Sequence, residues 1–201
     1  MAMSHLLLTL GWVAYGLIHS LLASVRVKEK FRGLLGPWFR YYRLAYSLIA
    51  LGLLALLIFW QLRIPSLQLW KPNLYTRIPA SILIISGLAG IVICLKKYLV
   101  SPEGFSDLFV EGKKPVLQIK GFHRYVRHPL YLSTFLFLTG LLIAFPSLSF
   151  ALSTTVIIGY TVFAIPLEEQ KLLNLYGEEY GRYRQQVPAL IPNQLTNWLI
   201  N

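Results

Sequence analysis

Apolar residues gather along this chain into five long runs, at about His5–Val25, Leu44–Leu62, Ile78–Leu99, Pro129–Phe145 and Leu148–Leu167, with most of the charged residues in the stretches between them. A helix needs roughly 20 apolar residues to cross a bilayer core, so the pattern predicts five membrane-spanning helices, the fourth a little short. Only Pro146 and Ser147 separate the fourth run from the fifth. That leaves room for a tight turn and predicts an antiparallel hairpin, which returns the chain near residue 168 to the side of residue 128. The first run lacks the basic leader of a signal peptide and is read as a membrane helix. His5, at its outer end, is expected at the membrane interface.

Past the fifth run, Glu169, Leu172, Leu173, Tyr176, Tyr180 and Tyr183 recur at helical intervals on one face. They predict a cytoplasmic amphipathic C-terminal helix folded back on the bundle, with Gly177 and Gly181 allowing close approach to a neighbour. Val187-Pro188 ends it. The fold class is therefore all-α: a polytopic membrane helical bundle of five transmembrane helices, formed by one domain over residues 1–201.

Composition narrows the class further. A mean hydropathy of +0.57, with 56% hydrophobic and 13% charged residues, is too apolar for a chain that keeps its whole surface in water. The net charge of +11 does not point to nucleic acid, because the cations lie between apolar runs instead of on one soluble face. They act as topology signals. Arg63, Lys71 and Arg77 are the only three of the 19 lysines and arginines on one side of the five-span arrangement, which places the N-terminus outside and the C-terminus in the cytoplasm. The membrane is expected to be an inner, plasma or endomembrane, and the bilayer itself is the first partner. The single cysteine, Cys94, lies inside an apolar run and excludes a disulfide framework or a Cys-rich metal site. No metal is expected.

The cytoplasmic face then carries nearly all the candidate chemistry. The loop 100–122 is broken by glycine and proline, with Pro115-Val116-Leu117-Gln118-Ile119 as a short extended stretch suited to lie over a pocket. Arg127-His128-Pro129-Leu130-Tyr131 opens the fourth run, with Pro129 in the first helical turn, where its missing N–H costs nothing. Glu168-Glu169 closes the fifth. Ionisable groups beside a bilayer are costly unless paired or wet, so this set reads as a site.

The ordered blocks Arg-His-Pro-x-Tyr, Glu-Glu-x-x-Leu-x-x-x-Tyr-Gly-x-x-Tyr-x-x-Tyr and Val-Pro-x-x-Ile-Pro, over roughly residues 96–192, resemble the isoprenylcysteine carboxyl methyltransferase family and its phospholipid and methanethiol methyltransferase relatives. The resemblance implies S-adenosylmethionine as methyl donor, held at the cytoplasmic mouth of the last two spans. No Gly-x-Gly-x-x-Gly loop is present. The implied donor-binding residues are Val116, Leu117, Gln118, His123, His128, Pro129, Tyr131, Glu168 and Glu169, with Arg127 and Glu169 as catalytic residues. His123 stands where the family usually has tyrosine, and Gln186 where several members have a basic residue. The implied acceptor is a small or lipophilic thiol, or an isoprenylcysteine-type carboxylate, entering from the bilayer. Thr161–Pro166 lacks the arginine with which prenylcysteine enzymes are expected to hold a carboxylate, which favours the thiol. In the first half, His19-Ser20-Leu21-Leu22-Ala23-Ser24 resembles NnrU-like membrane proteins and methanethiol methyltransferases. The alternative that this resemblance implies is a non-methylating NnrU-like protein with His19 as a haem ligand.

Overall fold

The computed structural model describes residues 2–100 and 117–192. Of the described residues 83% are helical, and among them there are no strands. Its helices are α1 (Ala2–Ala23), α2 (Val25–Leu35), α3 (Tyr42–Arg63), α4 (Leu74–Val100), α5 (Pro129–Ala144), α6 (Leu148–Tyr176) and α7 (Glu178–Gln186). Four of them, α1, α3, α4 and α6, carry stretches long and apolar enough to cross a membrane, while α5 is a shorter apolar helix of 16 residues. At 1.5 Å per residue α5 reaches about 24 Å and the 29-residue α6 about 44 Å, against a hydrocarbon core of roughly 30 Å. α6 is therefore longer than that layer is thick, and Glu168 and Glu169 lie in its C-terminal third.

The α5–α6 turn is pinned by the segment between α3 and α4. Leu69 N–H donates to Pro146 O at 2.8 Å and Leu148 N–H to Leu67 O at 2.9 Å. Ser66 Oγ accepts from Ser149 N–H at 2.9 Å and shares a 3.1 Å hydrogen bond with His5 Nε2. His5 is thus buried in a polar joint of α1, the α3–α4 segment and α6, where the sequence suggests an interfacial residue. Nearby, Trp12 Nε1–H donates to the buried Gln61 Oε1 at 3.1 Å and fastens α1 to α3. These bonds satisfy polar groups that a bilayer would leave without partners.

The tightest helix pair is α4 with α5, and small residues make it possible. A β-carbon added at Gly87 would lie 2.5 Å from the amide nitrogen of Phe137, and one at Gly140 would lie 2.8 Å from the amide nitrogen of Ile84. Helices in membranes gain from such backbone approach because lipid supplies little hydrophobic drive for association. Replacing Gly87 by leucine is expected to cost about 1–3 kcal/mol, since backbone atoms cannot move aside as a flexible side chain can. A lowered thermal midpoint in detergent checks it, with Gly52→Leu, whose β-carbon would meet nothing within 4 Å, as the control.

Two local features depart from the sequence reading. The basic stretch after α1 forms a helix of its own, α2, capped by Ser24 and followed by a 3-10 turn over Gly36–Tyr41. Gly177 and Gly181 serve no close approach, because a β-carbon at either would meet nothing within 4 Å. Gly177 instead takes φ +58°, a conformation glycine tolerates without steric cost, and so ends α6 and lets α7 turn away.

Candidate active site

Pro129 begins α5 with its ring buried, and His128 stands just outside the helix as its N-terminal boundary residue. The turn at Pro146-Ser147 brings the start of α5 beside the end of α6, as the short spacing requires. Arg127 Nε–H donates to Glu169 Oε1 at 2.7 Å, and the Arg127 Nη2 to Glu169 Oε1 separation is 2.5 Å. Arg127 Nη1 donates to Arg184 O at 3.0 Å and also to Val187 O. The guanidinium is spent on one carboxylate and two carbonyls. Glu169, with its side chain only 6% exposed, also faces His128 Nε2 at 3.3 Å and Arg184 Nε at 3.2 Å. Arg127 and Glu169 therefore form a closed buckle.

That buckle holds down the chain after α7. Arg127 N–H donates to Pro188 O at 2.9 Å and His128 N–H to Ala189 O at 3.0 Å, so the Val-Pro block lies against the Arg-His-Pro block. Beneath it, Tyr180, Tyr183 and Val187 are buried and pack with Leu117, Leu172, Leu173 and Tyr176. Tyr183 Oη donates to His123 O at 2.6 Å. His123 Nδ1 lies 3.2 Å from Arg127 O, and because a carbonyl can only accept, Nδ1 is the donor of this hydrogen bond.

Beside the buckle the groups are more open. Tyr131 Oη donates to Glu168 Oε2 at 2.7 Å, and His128 Nδ1 lies 3.7 Å from the same oxygen. The His128 and Tyr131 rings stack, 5.4 Å apart and 10° from parallel. The Glu168 side chain is 43% exposed, and its Oε1 has no hydrogen-bond partner among the described residues. Tyr180 is 1% exposed, and its hydroxyl has no partner of full hydrogen-bond geometry among them. Burial pushes that phenol up from its ordinary value and the Glu169 charge adds to the effect, outweighing the opposing pull of the neighbouring Arg127, so it stays protonated at neutral pH. An open carboxylate beside a stacked imidazole and phenol suits a ligand carrying cationic and hydroxyl groups.

Of the residues singled out from sequence, His128, Pro129, Tyr131, Glu168, Glu169 and Arg127 come together, with His123 joined through the Arg127 backbone. Leu117 packs beneath, in the Tyr180 cluster, and Gln118 is exposed. Val116 lies outside the described residues. Arg184 and the buried Tyr180 belong to the same set and were not among the sequence candidates; the place of Tyr180 on the apolar face of the C-terminal helix was the available signal for it. His19 lies apart on α1, exposed and stacked on Tyr15 with centroids 6.2 Å apart.

Helices of membrane length with a histidine, tyrosine and carboxylate cluster at the mouth of the last hairpin define the class, an all-α polytopic protein. The chain belongs to the NnrU protein family, which it matches over residues 7–199. It is 31% identical over 190 residues to the methanethiol S-methyltransferase of Crocosphaera subtropica, covering 89% of this chain and 71% of that relative. Methanethiol S-methyltransferase 1 of Bradyrhizobium diazoefficiens is 28% identical over 169 residues, with 75% of this chain and 54% of the relative covered. Protein-S-isoprenylcysteine O-methyltransferase of Schizosaccharomyces pombe is 30% identical over 109 residues, half of this chain and 46% of that protein. No solved structure matches the chain.

Proposed function

We propose that this chain is a membrane methyltransferase of one domain and five spans, with α5 as the short fourth span, that transfers a methyl group from S-adenosylmethionine to a small or lipophilic thiol. The N-terminus faces outward and the C-terminus the cytoplasm, so the Glu168 corner opens on the cytoplasmic side. The observation that carries the reading is the open Glu168–Tyr131–His128 corner held beside a closed Arg127–Glu169 buckle. The three named methyltransferase relatives support the reaction class.

The bound donor supplies an electrophilic methyl group on a sulfonium. The Glu168 carboxylate would accept from the donor's ammonium or ribose hydroxyls, and the Tyr131 face would attract its positive charge. His128 offers a further polar contact. Arg127 and Glu169 act by holding residues 184–189 over the start of α5 and by keeping His128 in place. Methyl displacement is in line, so the protein contributes mainly by holding donor and nucleophile aligned in a pocket poor in water.

Glu168→Gln and His128→Ala should each weaken S-adenosylmethionine binding by about 1.5–3 kcal/mol, the range for hydrogen bonds to charged groups. Calorimetric titration of the detergent-purified variants checks it. Wild-type affinity in both folded variants removes the donor assignment.

A further inference from the structure

Leu8, Trp12, Tyr15 and His19 follow one another at intervals of four, three and four residues along a single stripe of α1. On one flank of that stripe α1 meets α3, where Gly11 faces Leu57 and Trp60 and Trp12 bonds to Gln61. On the other flank it meets α6, where Gly16 makes room for the Tyr160 ring and Ser20 Oγ hydrogen-bonds Tyr160 Oη. The stripe therefore points between α3 and α6, toward the bundle. Near the outer end it is sealed, with Leu8 0% and Trp12 5% exposed. At His19, on the same stripe, the side chain is exposed. Among the described residues the stripe is thus covered at Leu8 and Trp12 and uncovered at His19, with Tyr15 partly buried between them.

The register places His19 near the level of the mouth. α1 and α6 run in parallel, since His5 and Ser149 share Ser66 at one end while Gly16 and Ser20 meet Tyr160 further along. The same offset sets His19 level with about Phe163, five residues before Glu168, which is about 7 Å toward the membrane at 1.5 Å per residue. A donor held at Glu168 would direct its methyl toward an acceptor arriving from that side.

We propose that His19 is the acceptor-side catalytic base, and that the uncovered stretch of α1 around Tyr15 and His19, between its contacts with α3 and α6, binds the thiol. This rests on the methyltransferase reading above. The thiol S–H bond breaks and its proton passes to the imidazole. A sulfur lone pair forms the new S–C bond as the donor's C–S bond breaks with its electron pair to the donor sulfur. The products are a thioether and S-adenosylhomocysteine, and the imidazolium returns its proton to water. Among the described residues, the titratable and charged groups on the elements packed against this end of α1 include Tyr15 of α1, Tyr160 of α6, Tyr42 and Tyr46 of α3, and Arg26, Lys28, Glu29, Lys30 and Arg32 of α2. Imidazole is the side chain suited to exchange a proton near neutral pH, and alkyl thiols are mostly protonated there, as free cysteine is with a pKa of about 8.5.

The test compares two thiols in His19→Gln and His19→Asn. With an alkanethiol, kcat/KM should fall about 100-fold or more, the lower end of what a positioned base contributes. With an arenethiol, already ionised at neutral pH, it should fall less than threefold, and S-adenosylmethionine binding should be unchanged. A structural role would lower both thiols alike, and equal loss or no loss in either donor-binding variant overturns the proposal. If wild type fails to bind S-adenosylmethionine, the donor reading fails and takes this proposal with it. If wild type binds the donor and methylates thiols while the variants show no thiol-dependent difference, only the role of His19 is lost.

Discussion

Arg127→Ala is expected to destabilise the folded protein by about 3–5 kcal/mol, the usual cost of removing one partner from a buried ion pair. With side chains 10% and 6% exposed, Arg127 and Glu169 have little water to replace the lost contacts. The substitution also frees the carbonyls of residues 184 and 187 and with them the segment laid against residues 127–128. Thermal unfolding in detergent measures the loss, and limited proteolysis within 184–192 should become faster. Combining Arg127→Met with Glu169→Gln removes the uncompensated charge and should recover part of the stability, because the two effects are coupled and do not add. A single substitution within about 0.5 kcal/mol of wild type would mean that the buckle does not hold the C-terminal segment.

The second large effect concerns the acceptor. Between Thr161 and Pro166 the chain offers no cation, with Phe163 81% exposed and Ile165 buried, and the Arg127 guanidinium is already engaged. A carboxylate acceptor brought in along α6 would be desolvated without a matched partner, a penalty again of about 3–5 kcal/mol. A thiol meets no such penalty. Methyl transfer to a small alkanethiol should exceed transfer to a farnesylated cysteine analogue on the order of 100-fold or more at matched concentration, since each 1.4 kcal/mol is tenfold. Faster use of the prenylcysteine, abolished by Arg124→Ala, would reverse the preference and assign that arginine to the carboxylate.

Much of this arrangement could be read from local patterns. The two-residue turn at Pro146-Ser147 was enough to place residues 127–131 beside 168–169, and the spacing of Tyr176, Tyr180 and Tyr183 was enough to predict a buried face. Individual partners were not legible, because they depend on side-chain direction across helices forty residues apart. Which glutamate closes on Arg127 and which stays open is decided by a 100° step around α6. The Ser66 joint that buries His5 rests on an irregular segment with no periodicity to read. Gly177 and Gly181 looked like a packing pair because they are four apart, yet the backbone turn needs only Gly177, and the sequence does not distinguish φ from proximity. The short α5 matches the shortest apolar run, and its close seat on α4 depends on glycines in both helices that no single-helix pattern pairs.

The most direct measurement is methyl transfer itself. Purified protein in lipid vesicles is given S-adenosylmethionine with an isotopically labelled methyl group and a small alkanethiol, and the thioether and S-adenosylhomocysteine are quantified together. Equimolar appearance of both, suppressed in Glu168→Gln at limiting donor concentration, is the expected result. Folded wild-type protein that forms neither product with the thiol, with a prenylcysteine analogue or with a lipid amine would contradict the methyltransferase reading.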